Sequence, residues 1–243
     1  KINEGDVIMA VNGVNALDYS SINELLMNKA DVQVRLKLKD IKGTVYEEVV
    51  KPVSAGSFSN LRYSEWEYTR RKEVDNSTGG KIGYLHLRAM GGNDYDDFVK
   101  GFYPSIGKEG LIIDVRHNRG GNIDSWVLEK LMRKAWFYWA PRVGSSTPNM
   151  QYAFTGYIVV LTDANTASDG EAFSEGFRRL GLGKLIGTRT WGGEIWLSSG
   201  NGLVDGGVAT AAETGVYSPE GEWLIEGWGV EPDMVVDNKP HES

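Results

Sequence analysis

The chain has 243 residues, enough for one large domain or for a small and a medium one. Apolar residues make up 41% of it, which permits a packed core and argues against wholesale disorder. The net charge of −7, with no long basic run, argues against nucleic-acid binding, because phosphate recognition needs a stripe of Lys and Arg. Without cysteine, the chain has no disulfides, thiolate metal ligands or cysteine nucleophile.

The ends of the chain carry no targeting information. No apolar run approaches the ~20 residues that span a bilayer, and no signal peptide is visible. The first residue, Lys1, is not an initiator Met, and the sequence starts partway through a recognisable pattern. We therefore interpret the chain as a fragment, so the missing signal says nothing about the compartment.

The first 53 residues are predicted to form short strands around one helix. Strands are expected at residues 7–11, 32–38 and 46–53, the second of which alternates with period two. Asn12 and Gly13 supply a tight turn after the first strand. The helix is expected at 21–28, with Ser21 as its N-cap and Glu24 three residues later.

The remainder alternates strands with helices. Residues 54–80 read as a connector with a helical stretch at 61–72 and a loop at 76–80. Strands are then predicted at 81–87, 111–115 and 157–162, helices at 95–106, 125–134 and 169–180, and extended structure at 207–236. The continuously apolar strand at 111–115 is typical of a buried parallel strand. The alternation predicts a layered α/β domain.

The first candidate for chemistry is Ser168, in the segment TASDGE at 166–171. It follows a predicted buried strand and opens a helix, where unpaired N–H groups and the helix dipole favour developing negative charge. Such a position suits the nucleophile of an acyl-transfer reaction. Taken alone, however, Ser168 with Glu171 three residues later is more often a capping box.

Two glycine-rich loops supply further candidates. In DVRHNRGGN at 114–122, Gly120 and Gly121 let the backbone turn sharply and present N–H groups, which could form an oxyanion hole facing Ser168. An ordinary glycine turn before a helix is the alternative. In IEGWGVEPD at 225–233, Glu226 could orient a catalytic group, or it could be a solvated loop residue.

The three histidines give no clear base and no metal site. His86 falls in a strand and is expected in the core or on a sheet face, and His241 lies in the tail. His117, in the glycine loop, is the one tempting base, but we favour a loop role for it. No residues have metal-ligand spacing, so neither a metal nor a cofactor is predicted.

Together these segments resemble the tricorn protease family, relatives of the C-terminal processing peptidases. GDVIMAVNG at 5–13 is typical of the second half of a PDZ domain. Blocks at 83–87, 114–121, 168–171, 190–196 and 226–233 resemble catalytic-domain blocks of the family in the same order. The ordered series favours the nucleophile over the capping box. It implies a truncated, β-rich PDZ domain at 1–55 and a serine protease catalytic domain of crotonase/ClpP-like α/β fold at 56–243.

The resemblance also implies roles. Ser168 would be the nucleophile, the N–H groups of Gly121 and Asp169 would hold the oxyanion, and Glu226 would be the acidic member of a Ser/His/Ser/Glu tetrad. The family's histidine and second serine lie before the PDZ domain, so the fragment is expected to be nearly inactive alone. Relatives with a Ser-Lys dyad keep a lysine after the position of Thr190, where this chain has glycines. The histidine-dependent mechanism is therefore implied.

By resemblance, the substrates are oligopeptides, the full-length enzyme is a large homo-oligomer, and the location is cytoplasmic, with a periplasmic or secreted protein as an open alternative. The second hypothesis is a peptide-binding or scaffolding module that has lost catalysis. The partial PDZ domain would suit it, as would loops that carry tryptophans at 191, 196, 223 and 228; core packing is the other explanation for these tryptophans. A crotonase-like acyl-transfer enzyme is the third, but no basic patch for coenzyme A supports it.

Overall fold

A computed structural model describes residues 1–197 and 200–237, so His241 lies outside the described residues. The chain forms two compact units, Lys1–Tyr68 and Thr69–Ser243. Their boundary falls inside one long helix. Within the described part, no helix is long and apolar enough to cross a membrane.

The first unit is a small antiparallel sheet with one short helix. Its elements are β1 (Val7–Val11), β2 (Val14–Asn15), α1 (Ile22–Leu26), β3 (Val34–Lys39) and β4 (Val45–Val50), with strand order β2-β1-β3-β4. Alternate residues of β3 are buried, as its period-two pattern predicted, and they pack with Val11. Ser21 and Glu24 form the predicted capping box of α1.

The connector between the predicted domains is one continuous helix, α2 (Ala55–Thr78). The prediction of a helix at 61–72 only, with a loop from 76, was therefore wrong. None of the residues of this helix is buried. An exposed helix needs no apolar stripe, so its sequence lacks the periodicity that marks a packed helix. The helix ends where Gly79 and Gly80 adopt positive φ angles, +59° and +77°.

The second unit is an α/β domain, as predicted. Its elements are β5 (Ile82–His86), α3 (Gly92–Phe102), β6 (Gly110–Asp114), α4 (Asp124–Leu131), β7 (Phe137–Trp139), β8 (Thr147–Asn149), β9 (Tyr157–Thr162), α5 (Asp169–Arg179), β10 (Lys184–Gly187), β11 (Trp196–Leu197), β12 (Ala212–Thr214) and β13 (Met234–Val235). Five strands form a parallel sheet in the order β13-β10-β9-β6-β5. The pairs β7–β8 and β11–β12 are separate and antiparallel.

The core of this unit lies between the sheet and helices α3, α4 and α5. Phe98 and Phe102 from α3 and Phe173 and Phe177 from α5 are buried there with Ile113 of β6. The sequence did not predict β10 or the β7–β8 hairpin, and the expected extended stretch at 207–236 holds only two short strands.

Neighbouring strands β6 and β9 set up the candidate site. They pair in parallel from Gly110↔Tyr157 to Asp114↔Leu161, so the loops that follow them leave the same edge of the sheet. Clefts at the carboxyl ends of parallel strands are where open α/β sheets bind ligands.

Candidate active site

Ser168 lies in a strained turn at the start of α5. Its backbone has φ 52° and ψ −130°, a region that residues with a side chain rarely adopt. Such strain typically costs 1–3 kcal/mol and collects at functional sites. Nucleophilic serines of α/β-hydrolases also sit on a strained strand-to-helix turn that exposes the hydroxyl.

The glycine loop after β6 packs directly against this serine. A Cβ atom built on Gly120 would overlap the Cβ of Ser168, and would lie 2.8 Å from its Oγ and 3.1 Å from the amide nitrogen of Asp169. Gly120 also has a φ of +81°, which favours glycine. The two loops that the sequence singled out are therefore in contact.

Asn118, which no sequence pattern singled out, fixes this contact. Its side chain is fully buried and donates to the carbonyl of Leu87 at 2.8 Å. Its Oδ1 accepts from the N–H of Gly120 at 2.8 Å, and its backbone carbonyl accepts from the N–H of Ala167 at 2.9 Å. Through its side chain and its backbone carbonyl, this one buried residue thus joins the glycine loop to the residue before Ser168.

Two backbone N–H groups beside Ser168 lack acceptors. In the described part of the chain, neither Gly121 nor Asp169 donates its N–H to another residue. Asp169 is the first residue of α5, where helical N–H groups have no intrahelical partner. Gly121 is held in place by its neighbours, since the N–H of Asn122 donates to the carbonyl of Met90 at 2.8 Å. Both groups can donate to a developing oxyanion.

The side chain of Asp169 bonds to the two residues that follow the glycine loop. Its Oδ2 accepts from the N–H groups of Ile123 and Asp124 at 2.8 and 3.0 Å, which caps α4. Burial, and then the nearby charge of Asp124, raise the pKa of Asp169 to about 7. The residue next to the candidate nucleophile therefore titrates near neutral pH.

Glu171 is the most completely bonded carboxylate near Ser168. Its Oε2 accepts from the N–H groups of Ser168 at 3.0 Å and Gly193 at 2.9 Å. Its Oε1 accepts from the hydroxyl of Thr190 at 2.5 Å and the N–H of Gly192 at 2.7 Å. The glutamate half of the predicted capping box thus forms, but three of the four donors come from a distant loop.

Glu226 holds the next part of that same loop. Its Oε2 accepts from the N–H groups of Glu194 and Ile195 at 2.7 and 2.9 Å, so it is not a solvated loop residue. Among the described residues it makes no hydrogen bond to Ser168. Glu226 therefore shapes the loop that Glu171 binds.

Glu194 carries the most perturbed carboxyl of the cluster. It is 3% exposed, and no described residue pairs with its Oε2. Burial first, and then the charges of nearby carboxylates, raise the pKa of Glu194 to about 8. The carboxylates concerned are Asp169, Glu171, Asp124 and Glu226. Near neutral pH this side chain is mostly protonated.

His117 and Lys184 have partners other than Ser168. His117 Nδ1 lies 2.9 Å from Asp163 Oδ2, and its backbone N–H donates to the same carboxylate at 2.9 Å. His86 is buried in β5, as expected for a core residue. Lys184 is exposed and donates to Asp233 at 3.4 Å, away from the serine turn. Within the described residues, no cluster of His, Asp and Glu could hold a metal ion.

Two family models match the chain. Residues 81–236 match the model of peptidase family S41, and residues 1–55 match that of the tricorn protease PDZ domain. The chain is 34% identical over 238 residues to the tricorn protease of Thermoplasma acidophilum, which covers 98% of this chain and 22% of that protein. It is 33% identical over 242 residues to tricorn protease homolog 1 of Streptomyces coelicolor, covering 99% and 22%.

A solved structure agrees with these matches. The crystal structure of the tricorn protease superposes with a TM-score of 0.85 at 34% identity, covering 98% of this chain and 23% of that one. The chain therefore spans less than a quarter of the length of these relatives.

Proposed function

Because the chain belongs to peptidase family S41, we propose that it carries the catalytic domain of a tricorn-like serine peptidase, with Ser168 as nucleophile. The observation that carries this assignment is the contact of the strained Ser168 turn with Gly120, beside two N–H groups that have no acceptor. A serine that merely capped a helix would need neither the strain nor the glycine loop.

The first half-reaction is attack on a peptide carbonyl. Ser168 Oγ forms a bond to the carbonyl carbon while a histidine accepts the hydroxyl proton. The carbonyl oxygen becomes an oxyanion, to which the N–H groups of Gly121 and Asp169 donate. One such donor is typically worth ~2.7–4 kcal/mol. The C–N bond then breaks, the histidine returns its proton to the leaving amine, and an ester on Ser168 remains.

The second half-reaction regenerates the enzyme. Water attacks the ester carbonyl, the histidine takes its proton, and the same two N–H groups bind the second oxyanion. Breaking the ester bond returns the proton to Ser168 Oγ and releases the new carboxyl terminus.

The base in both half-reactions is not His117, because its imidazole lies against Asp163. By family resemblance, the histidine that serves as the base and a second serine lie upstream of Lys1, and Glu226 completes the tetrad.

The rest of the proposal concerns the full-length protein. We place the second half of a PDZ domain at 1–55 and the catalytic domain at 56–243. Relatives named as tricorn proteases support peptide substrates, and oligopeptides are the class we propose. A homo-oligomeric assembly and a cytoplasmic location belong to the same proposal.

The test is Ser168→Ala in the full-length protein, measured by turnover of a fluorogenic oligopeptide and by labelling with a fluorophosphonate probe. We expect loss of both with an unchanged melting temperature. Ser125→Ala, at an exposed serine of α4, is the matched control and should keep both. Turnover retained by Ser168→Ala would move the nucleophile elsewhere. A wild-type protein that binds peptides without turnover or labelling would be a non-catalytic module.

A second measurement addresses the fragment. The isolated 243-residue chain should turn over peptide at a rate near background, because no described residue offers Ser168 a base. Ser168-dependent turnover by this chain would show that the base lies within it.

A further inference from the structure

Glu171 joins the turn of the candidate nucleophile to a loop that lies about twenty residues further along the chain. Its side chain is fully buried, and each of its two carboxylate oxygens accepts two hydrogen bonds. Oε2 alone accepts from Ser168 and Gly193, so a single atom couples the backbone of the serine to that loop. A buried carboxylate is tolerated only when it is satisfied in this way.

The coupling continues from Glu171 to Glu226. Glu171 holds the N–H groups of Gly192 and Gly193, while Glu226 holds those of the next two residues, Glu194 and Ile195. Four consecutive backbone amides are therefore divided between two carboxylates. A shift of the loop would change the position of Glu226 relative to Ser168.

The backbone conformation and the packing of the loop at 190–195 restrict it to this position. Gly192 has a φ of +93°, and a Cβ on it would lie 2.9 Å from the amide nitrogen of Gly229. Thr190 Oγ1 donates to Glu171 and accepts from the N–H of Val230 at 2.7 Å, which ties the loop to the segment that carries Glu226. Glu171 is thus the point where three segments meet.

We propose that Glu171 is a positioning residue for the reaction assigned to Ser168. It holds the serine in its strained conformation and sets the distance from the serine to Glu226, without touching the substrate. Strained backbone persists only when its surroundings over-determine it, and the N–H bond from Ser168 to Glu171 is one such restraint. This inference rests on the proposed function.

The discriminating variant is Glu171→Gln, which keeps the shape of the side chain. Its amide group is a donor, so it would face N–H groups that now meet an acceptor oxygen, and at least one of them would lose its bond. We expect kcat to fall about 10- to 100-fold with KM within about threefold, the signature of lost transition-state alignment.

The matched control is Glu175→Gln, one turn later on the same helix. Glu175 is also buried, but it pairs with Arg178 and Arg179 and has no bond to the serine turn. It should lower the melting temperature at most, with kcat unchanged. In each variant, fluorophosphonate labelling counts the competent sites, and kcat is expressed per labelled site, so that partial unfolding does not mimic a catalytic loss.

The outcomes separate cleanly in the full-length protein. A reduced kcat per site in Glu171→Gln, with normal kcat in Glu175→Gln, supports the positioning role. Wild-type kcat per site in Glu171→Gln shows a purely structural residue and overturns it. If Glu171→Gln does not fold, Glu171→Asp keeps the charge but cannot span both loops, and wild-type kcat per site there overturns the proposal equally. Peptide turnover by Ser168→Ala would instead contradict the proposed function.

Discussion

The carboxylate of Asp169 accepts the N–H of Ile123 at 2.8 Å, so the residue that follows the candidate nucleophile also caps the helix that follows the glycine loop. Gly120 and Gly121 lie between that cap and β6. The capped residues, Ile123 and Asp124, follow Gly121 by two and three positions. The two N–H groups proposed for the oxyanion hole, those of Gly121 and Asp169, therefore belong to segments that one side chain joins.

Two substitutions of Asp169 should distinguish the effect of its charge from the effect of its hydrogen bonds. Asp169→Ala leaves the N–H groups of Ile123 and Asp124, at the start of α4, without an acceptor. It should lower the free energy of unfolding by about 0.5–2 kcal/mol and reduce peptidase activity. Asp169→Asn keeps an acceptor oxygen and should retain both the stability and the peptidase activity. Thermal melts and peptide turnover of the two variants provide the measurement. Equal loss in both would assign the effect to the charge.

The contact between Gly120 and Ser168 makes a second prediction. Gly120→Ala would place a methyl group 2.8 Å from Ser168 Oγ and impose a side chain at a φ of +81°. We expect activity to fall more than about 100-fold and stability to fall by about 1–3 kcal/mol. Gly206→Ala is the matched control, because Gly206 has a φ of +82° with nothing within 4 Å of a built Cβ. Similar activity loss in both would mean that backbone strain, rather than the clash, is responsible.

Much of this site could be predicted from local patterns. The apolar strands at 111–115 and 157–162, each followed by a loop and a helix, indicated buried strands of a layered α/β domain. The glycine pair and the serine therefore each lie in the loop that follows a predicted strand. Their contact follows because β6 and β9 are neighbours in the sheet.

The remaining parts depend on contacts between residues far apart in sequence. The spacing of Ser168 and Glu171 is the same in a capping box and in the observed network, and the donors that distinguish them come from Thr190 to Gly193. Asn118 could not be identified from its neighbours in sequence, because two of its partners are Leu87, just after β5, and Ala167, in the turn before α5. Helix α2 was underestimated since an exposed helix shows no apolar stripe.

The position of His117 makes a negative prediction. Its imidazole faces Asp163 and is 45% exposed, so His117→Gln should keep kcat within about twofold. Removal of a general base typically costs about 100- to 10,000-fold. Peptide turnover of the full-length variant distinguishes these results. A loss in the larger range would make His117 the base and contradict an upstream histidine.

Glu194 predicts the pH dependence of stability. Its folded pKa of about 8 lies above the ordinary value of 4.5, so the folded state binds this proton more tightly than the unfolded state. The stabilisation of the folded state that comes from this proton is then fully present below about pH 4.5, and it is lost as the pH rises through about 8. The raised pKa of Asp169 acts in the same direction. Melting temperatures should fall from pH 5 to pH 9, and Glu194→Gln should flatten that slope and exceed the wild type at pH 9 by at least about 2 °C. Parallel pH profiles for the two proteins would place the titrating group elsewhere, and Glu231→Gln, at an exposed glutamate, should leave the wild-type slope unchanged.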